Sequence, residues 1–145
     1  MTDSQLTELE RNLGVAFTNK DLLQQAVTHR SYLNENPSWQ LGHNERLEFL
    51  GDAILELVVT EHLYRTYPNP EGEMTNWRAA LVNADMLADI SEDFHLNEHV
   101  LLSRGEARDT GRARRAILAN AAEAVIGALY LDQGYAACQS FIDRF

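Results

Sequence analysis

The run from Glu45 to Tyr64 constrains this chain more than any other stretch, because it holds no proline and a single glycine, Gly51. Asn44, just ahead of it, is a favoured N-cap residue, so the pattern predicts a long helix opening at Glu45. At about 100° per residue, Glu45, Glu48 and Asp52 fall within roughly 60° of one another, with Glu56 almost beneath Glu45. Most of the remaining circumference is apolar: Leu47, Phe49, Leu50, Ala53, Ile54, Leu55, Leu57, Val58 and Val59. A helix that is apolar nearly all round is expected to be buried. A ridge of acids on such a helix is costly, since clustered carboxylates repel and ionised groups resist burial. A divalent cation is the usual compensation, and aligned carboxylate oxygens suit Mg²⁺ or Mn²⁺ better than zinc. The competing reading is a solvated acidic stripe on a surface helix. The scarcity of other polar positions leaves both open at this point.

The chain's 145 residues, 45% hydrophobic and 23% charged, suit one domain with a real core. Cys138 is the single cysteine, which excludes an internal disulfide and leads to the expectation of a reducing compartment. Met1 to Gln5 has neither the basic start nor the apolar run of a secretory signal. The longest nearly apolar segment, Ala124 to Leu131, is far too short to span a bilayer. A soluble cytoplasmic chain with no membrane partner is therefore expected. The net charge of −10 opposes nucleic-acid binding by bulk electrostatics. Distribution matters more than the sum, however, and five of the twelve basic residues crowd into one short stretch: Arg104, Arg108, Arg112, Arg114 and Arg115.

Helical periodicity recurs along the chain. Residues 3–13 predict an amphipathic helix with Leu6, Leu9 and Leu13 inward and Gly14 ending it. Thr18 to Asp21 has capping-box spacing and opens a second helix through Val27. A loop is expected from there to His43, and His29 and His43 are read as structural rather than as general bases. Proline and glycine between Tyr67 and Gly72 break the chain after the central helix. Two helices follow, Glu73 to Asn83 with Trp77, Leu81 and Val82 on its apolar face, and Ala84 to Phe94. Then come a flexible basic loop, a long helix from Arg114 to Leu131, and a last helix from Tyr135 to Phe145. No strand pattern, repeat or linker is visible. The expected fold class is all-α, in a single domain.

The second long helix is also apolar on most sides and carries Asn120 and Glu123, three apart on one face. Packed beside the first, it would bring Glu48, Asp52, Asn120 and Glu123 together, the way helix bundles build metal sites. Asn120 and Glu123 satisfying each other or nearby backbone is the competing reading.

Glu45-Arg46-Leu47-Glu48-Phe49-Leu50-Gly51-Asp52 resembles the signature of the ribonuclease III family, Mg²⁺-dependent endonucleases that cut double-stranded RNA. The likeness extends to Leu22–Ser31, to Glu71–Thr75 with Arg78–Asn83, and to Ile117–Asp132. It implies the family's helical endonuclease fold over residues 1–145; bacterial members usually continue into a basic double-stranded-RNA-binding domain, and none is expected within this chain. It also implies a catalytic and metal set of Glu48, Asp52, Asn120 and Glu123, with Glu45 and Glu71 as accessory acids. Phe49 matches an aromatic that inserts into the partner subunit of a homodimer, in which two staggered cuts leave short 3′ overhangs. One position departs from the pattern: the family usually has Asp where this chain has Asn120, which removes a negative charge.

The expected function is thus a Mg²⁺-dependent endoribonuclease acting on double-stranded RNA, as in processing of rRNA precursors, with Mn²⁺ a possible substitute. The basic stretch Arg104 to Arg115 is the expected RNA contact. A catalytically silent RNA-binding or dimerisation module is the alternative, and the retained acids count against it.

Overall fold

The computed structural model describes residues 1–144, and its described residues form nine α-helices and no strand. α1 spans Asp3–Leu13 and α2 Lys20–Ala26. α3 spans Arg30–Glu35, α4 Glu45–Thr66, α5 Glu71–Leu81 and α6 Ala84–Asp93. A 3₁₀ turn, Leu96–Glu98, precedes α7 at Arg104–Arg108, α8 at Arg112–Gln133 and α9 at Tyr135–Ile142. No helix is long and apolar enough to cross a membrane among the described residues.

α8 is the central post. It packs most extensively against α4 and α6, and also against α2 and α9. Its buried side chains include Ile117, Leu118, Val125, Ile126 and Leu129. α1 adds Leu6, Leu9 and Leu13 to the same core and stops at Gly14, whose φ of 76° is the left-handed conformation that glycine adopts freely. Cys138 is buried on α9, and burial pushes its thiol up to about 11, so it is a core residue without thiolate character.

Local chemistry moves several of the expected boundaries. Asn19, not Thr18, caps α2 by accepting the Asp21 amide, while the Thr18 amide donates to Asp132. The expected loop after α2 contains α3, because the His29 ring accepts the Ser31 amide through Nδ1 and caps a short helix. α3 in turn holds the start of the basic segment: Ser31 Oγ accepts the Ser103 amide, and the Glu35 carboxylate accepts the Arg104 amide. α7 therefore stands where a flexible loop was expected. Asn44 precedes α4 but does not cap it; its side chain is buried and donates to the Ala26 carbonyl. His43 Nδ1 takes the Glu45 amide instead. The last helix ends at Ile142, and the expected end at Phe145 lies outside the described residues.

Two expectations about burial are corrected. α5 has no buried residue, with Trp77 38% and Leu81 49% exposed, so its apolar side closes no core within this chain. α4 is not buried all round either: Phe49, Leu57 and Tyr64 are exposed. At about 100° per residue these three fall within roughly 80° of one another, beside the acidic ridge. One side of α4 meets α8, and the other is an uncovered apolar stripe.

Candidate metal centre

Two glycines set the geometry of the site. A Cβ on Gly51 would lie 1.7 Å from the Glu123 carbonyl oxygen, and one on Gly127 would lie 2.2 Å from the Leu47 carbonyl oxygen. α4 and α8 therefore cross backbone against backbone, at a separation that no side chain permits. Glu48 and Asp52 flank Gly51 within one turn, and Asn120 and Glu123 lie one to two turns before Gly127. The close crossing turns these four side chains into one cleft.

That cleft, about 580 Å³, is lined by Glu45, Glu48, Phe49, Asp52, Asn120 and Glu123. Five of the six lining residues end in side-chain oxygens, and the sixth is the exposed Phe49. No lysine or arginine enters it. Glu45, at the rim, pairs with Arg30 at 3.6 Å. Glu71, the first residue of α5, is exposed and does not line the cleft.

The electrostatics follow from this geometry. Burial pushes the Glu123 carboxyl up to about 8, aided by a hydrogen bond with Asp52 and by repulsion from Asp52, Glu48 and Glu56. Burial, then Glu45 and Asp52, raises Glu48 above the ordinary carboxylate range. At neutral pH a proton on Glu123 thus substitutes for missing positive charge. The three acids Glu48, Asp52 and Glu123 do not all close to within 4.8 Å of one another. An all-oxygen, carboxylate-rich donor set with a protonated member fits a hard divalent ion of the Mg²⁺ or Mn²⁺ type.

The five arginines do not share one situation. Arg104, Arg108 and Arg112 are exposed. Arg114 is buried and donates to Asn97 and to the carbonyls of Glu106 and Ala107, fastening the α7 turn. Arg115 is held by Asp89 at 3.0 Å and Glu92 at 3.1 Å, with Asp85 at 3.9 Å. Both guanidinium groups are thus already engaged within the fold. The partners of Arg115 come from α6, so its role was not visible from neighbours in sequence. His29 and His43 serve as helix caps, and burial lowers the His29 ring below its ordinary value.

Sequence reasoning missed the structural weight of Gly51 and Gly127. The available signal was one lone glycine in each long, otherwise unbroken helix, three and four residues beyond an acid.

Comparison with known proteins agrees with this architecture. The family model described as Ribonuclease-III-like matches residues 19–145. Ribonuclease 3 of Enterococcus faecalis is 48% identical over 143 residues, covering 97% of this chain and 62% of the relative. Ribonuclease 3 of Oceanobacillus iheyensis is 52% identical over 128 residues, covering 88% of this chain and 56% of the relative. The chain therefore spans about three fifths of the length of such relatives. A crystal structure of the nuclease domain of ribonuclease III from Campylobacter jejuni superposes with a TM-score of 0.86 at 37% identity, covering 99% of this chain and 93% of that one. A second structure of that nuclease domain, described for flexibility in a region involved in dimer formation, gives a TM-score of 0.85 at 38% identity, covering 94% and 92%. With most of its length matched both in sequence and in three dimensions, the chain belongs to the ribonuclease III family and folds as that family's nuclease domain.

Proposed function

We propose that this chain is a metal-dependent endoribonuclease domain that hydrolyses phosphodiesters in double-stranded RNA as a homodimer. The observation that carries the reading is the glycine-to-glycine crossing of α4 and α8, which gathers Glu48, Asp52, Asn120 and Glu123 in a cleft without positive side chains. Glu48, Asp52 and Glu123, with the Asn120 carbonyl, would hold Mg²⁺ or Mn²⁺. A bound ion there supplies the positive charge and Lewis acidity that phosphodiester hydrolysis requires. With its carboxyl raised to about 8, Glu123 would have to lose a proton to serve as a ligand, so loading near neutral pH would release one. Glu45 and Glu71 act as accessory acids near the cleavage site. Arg104, Arg108 and Arg112 meet phosphates, and duplex RNA is recognised by shape, phosphates and 2′-hydroxyls rather than base edges.

Support for the homodimer comes from Phe49, 82% exposed at the edge of the acidic cleft, and from the apolar stripe it shares with Leu57 and Tyr64. Burying these residues against a second copy would set two clefts on one duplex and give staggered cuts with short 3′ overhangs. Processing of structured precursors such as rRNA, in a reducing cytoplasm, fits this activity.

A second reading, a catalytically silent module, draws on Asn120, since a neutral amide weakens a hard-cation site. Incubation with long duplex RNA, with and without Mg²⁺, followed by inspection of product ends, separates the two. Cleavage that requires the ion and leaves 3′ overhangs supports the enzyme. Intact RNA at every Mg²⁺ and Mn²⁺ concentration supports the silent module.

A further inference from the structure

A second group of metal-ligand side chains lies away from the cleft. Glu8 on α1, Glu98 in the 3₁₀ turn and His99 directly after it each present a ligand atom, all within 4.8 Å of one another. No other set of three or more such side chains approaches as closely among the described residues. The backbone prepares this meeting. His95 adopts a left-handed φ of 56° and turns the chain after α6, and the fully buried Leu96 pins the 3₁₀ turn to the core. On α1, the buried Leu6 and Leu9 orient the helix and leave Glu8 exposed.

His99 is the independent indication that this is more than an acidic cluster. Its side chain is only 5% exposed, and Nε2 is buried without a hydrogen-bond partner. A buried polar atom left unpaired is unusual in a folded protein, and an absent ion is one of its ordinary explanations. The carboxylates of Glu8 and Glu98 likewise make no ion pair or hydrogen bond with any described residue, and neither approaches the His99 ring within 4.0 Å. Two unpaired carboxylates and one imidazole thus bring ligand atoms to within 4.8 Å of one another.

We propose that Glu8, Glu98 and His99 form a second divalent-cation site, selective for Zn²⁺ or a similar borderline ion, that ties α1 to the turn leading into the arginine segment. One nitrogen and two oxygens are a zinc donor set, whereas Mg²⁺ takes oxygen alone. Tetrahedral coordination at about 2.0–2.1 Å leaves the fourth position to water. It requires ligand atoms about 3.3 Å apart, a contraction that rotation of the two exposed glutamates supplies. The site has no acid or base positioned on the RNA cleft, so its role is to fasten the fold: it joins residue 8 to residue 98 across two helical elements that share few other contacts.

The test separates this site from the cleft by using Zn²⁺ alone on chelator-stripped full chain. A cleft variant, Glu48→Gln/Asp52→Asn/Glu123→Gln, removes the first site and relieves its repulsion, so it remains folded. In calorimetry this variant is expected to take one equivalent of Zn²⁺ and to gain thermal stability on binding. Adding Glu8→Gln/Glu98→Gln, at exposed positions that leave the core intact, is expected to weaken binding at least tenfold and abolish the stabilisation. Co²⁺ in place of Zn²⁺ should give a visible ligand-field band in the first variant and none in the second. The proposal is overturned if the cleft variant binds no Zn²⁺, or if the added glutamine substitutions leave affinity and band unchanged.

Discussion

α4 and α8 are both 22 residues long, both apolar on most sides, and both carry acids in an apolar setting, yet they end in different environments. Thirteen residues of α8 are buried, against six of α4. α8 is enclosed by α2, α4, α6 and α9, and its one buried acid, Glu123, must hold a proton or meet a cation. α4 has the same kind of surface but only one side covered, leaving Phe49, Leu57 and Tyr64 in solvent beside Glu48 and Asp52. The difference teaches that an all-round apolar helix states how much surface must be covered, not which molecule covers it. For α8 the cover is the chain itself; for α4 half of it is expected from a second copy.

The comparison is broken most severely at the crossing. Gly51→Ala puts a methyl group 1.7 Å from the Glu123 carbonyl oxygen, and the helices must separate. Urea unfolding is expected to show a loss of about 4 kcal/mol or more, at the severe end of single substitutions. Gly72→Ala, with nothing within 4 Å of the new methyl, serves as the control and is expected to be neutral or stabilising by up to about 1 kcal/mol. Equal effects at the two glycines would refute the backbone crossing.

The Glu123→Gln substitution sharpens the contrast in electrostatics. Cleavage of duplex RNA is expected to fall about 10²–10³-fold or further while the fold persists. The folded-state value near 8 is raised above the ordinary 4.5, so the stability tied to this carboxyl is full below about 4.5 and is lost as pH rises through 8. Metal-free wild-type chain should therefore lose thermal stability across that window, and Glu123→Gln should flatten the loss. A wild-type profile that rises between pH 5 and 8, with the variant running parallel, contradicts the assignment.

Phe49→Asp tests the uncovered side of α4. It is expected to give mainly monomer in light scattering at micromolar concentration, with cleavage lost and thermal stability of the single chain nearly unchanged, because the wild-type ring is 82% exposed. A wild-type mass of one chain would itself remove the basis for the partner-covered helix.

Asn120→Asp restores a charge to the α8 side of the cleft and should lower the Mg²⁺ concentration for half-maximal cleavage by about tenfold. Activity appearing only in that variant would favour the silent-module reading.

The smallest effects concern the basic segment. Arg112→Ala should leave stability within about 0.5 kcal/mol and reduce the salt slope of duplex binding by about 1. Arg114→Ala should instead destabilise by about 1–3 kcal/mol, since it strips partners from Asn97 and two carbonyls. Matching stability losses for the two would show that exposure does not separate them.

Much of this molecule was legible in one dimension. Helix positions follow from 3.6-residue periodicity, glycine and proline, and both long helices start and end within two residues of where periodicity put them. The alignment of Glu48 with Asp52, and of Asn120 with Glu123, is a consequence of helical spacing and required no tertiary information. Caps were less legible, because Asn44 bonds to Ala26, 18 residues away, rather than to its own helix. What the tertiary structure alone decided is which neighbour each polar group meets. Arg115 pairs with α6 and Arg114 with a turn, while Glu8 comes to within 4.8 Å of Glu98 and His99, in several cases between residues 23 or more apart. Likewise, the acidic cleft depends on Gly51 meeting the α8 backbone. A lone glycine in a helix only permits such an approach; the packing of both helices against a shared core makes it happen, because burial energy is non-directional and its partner is chosen in three dimensions.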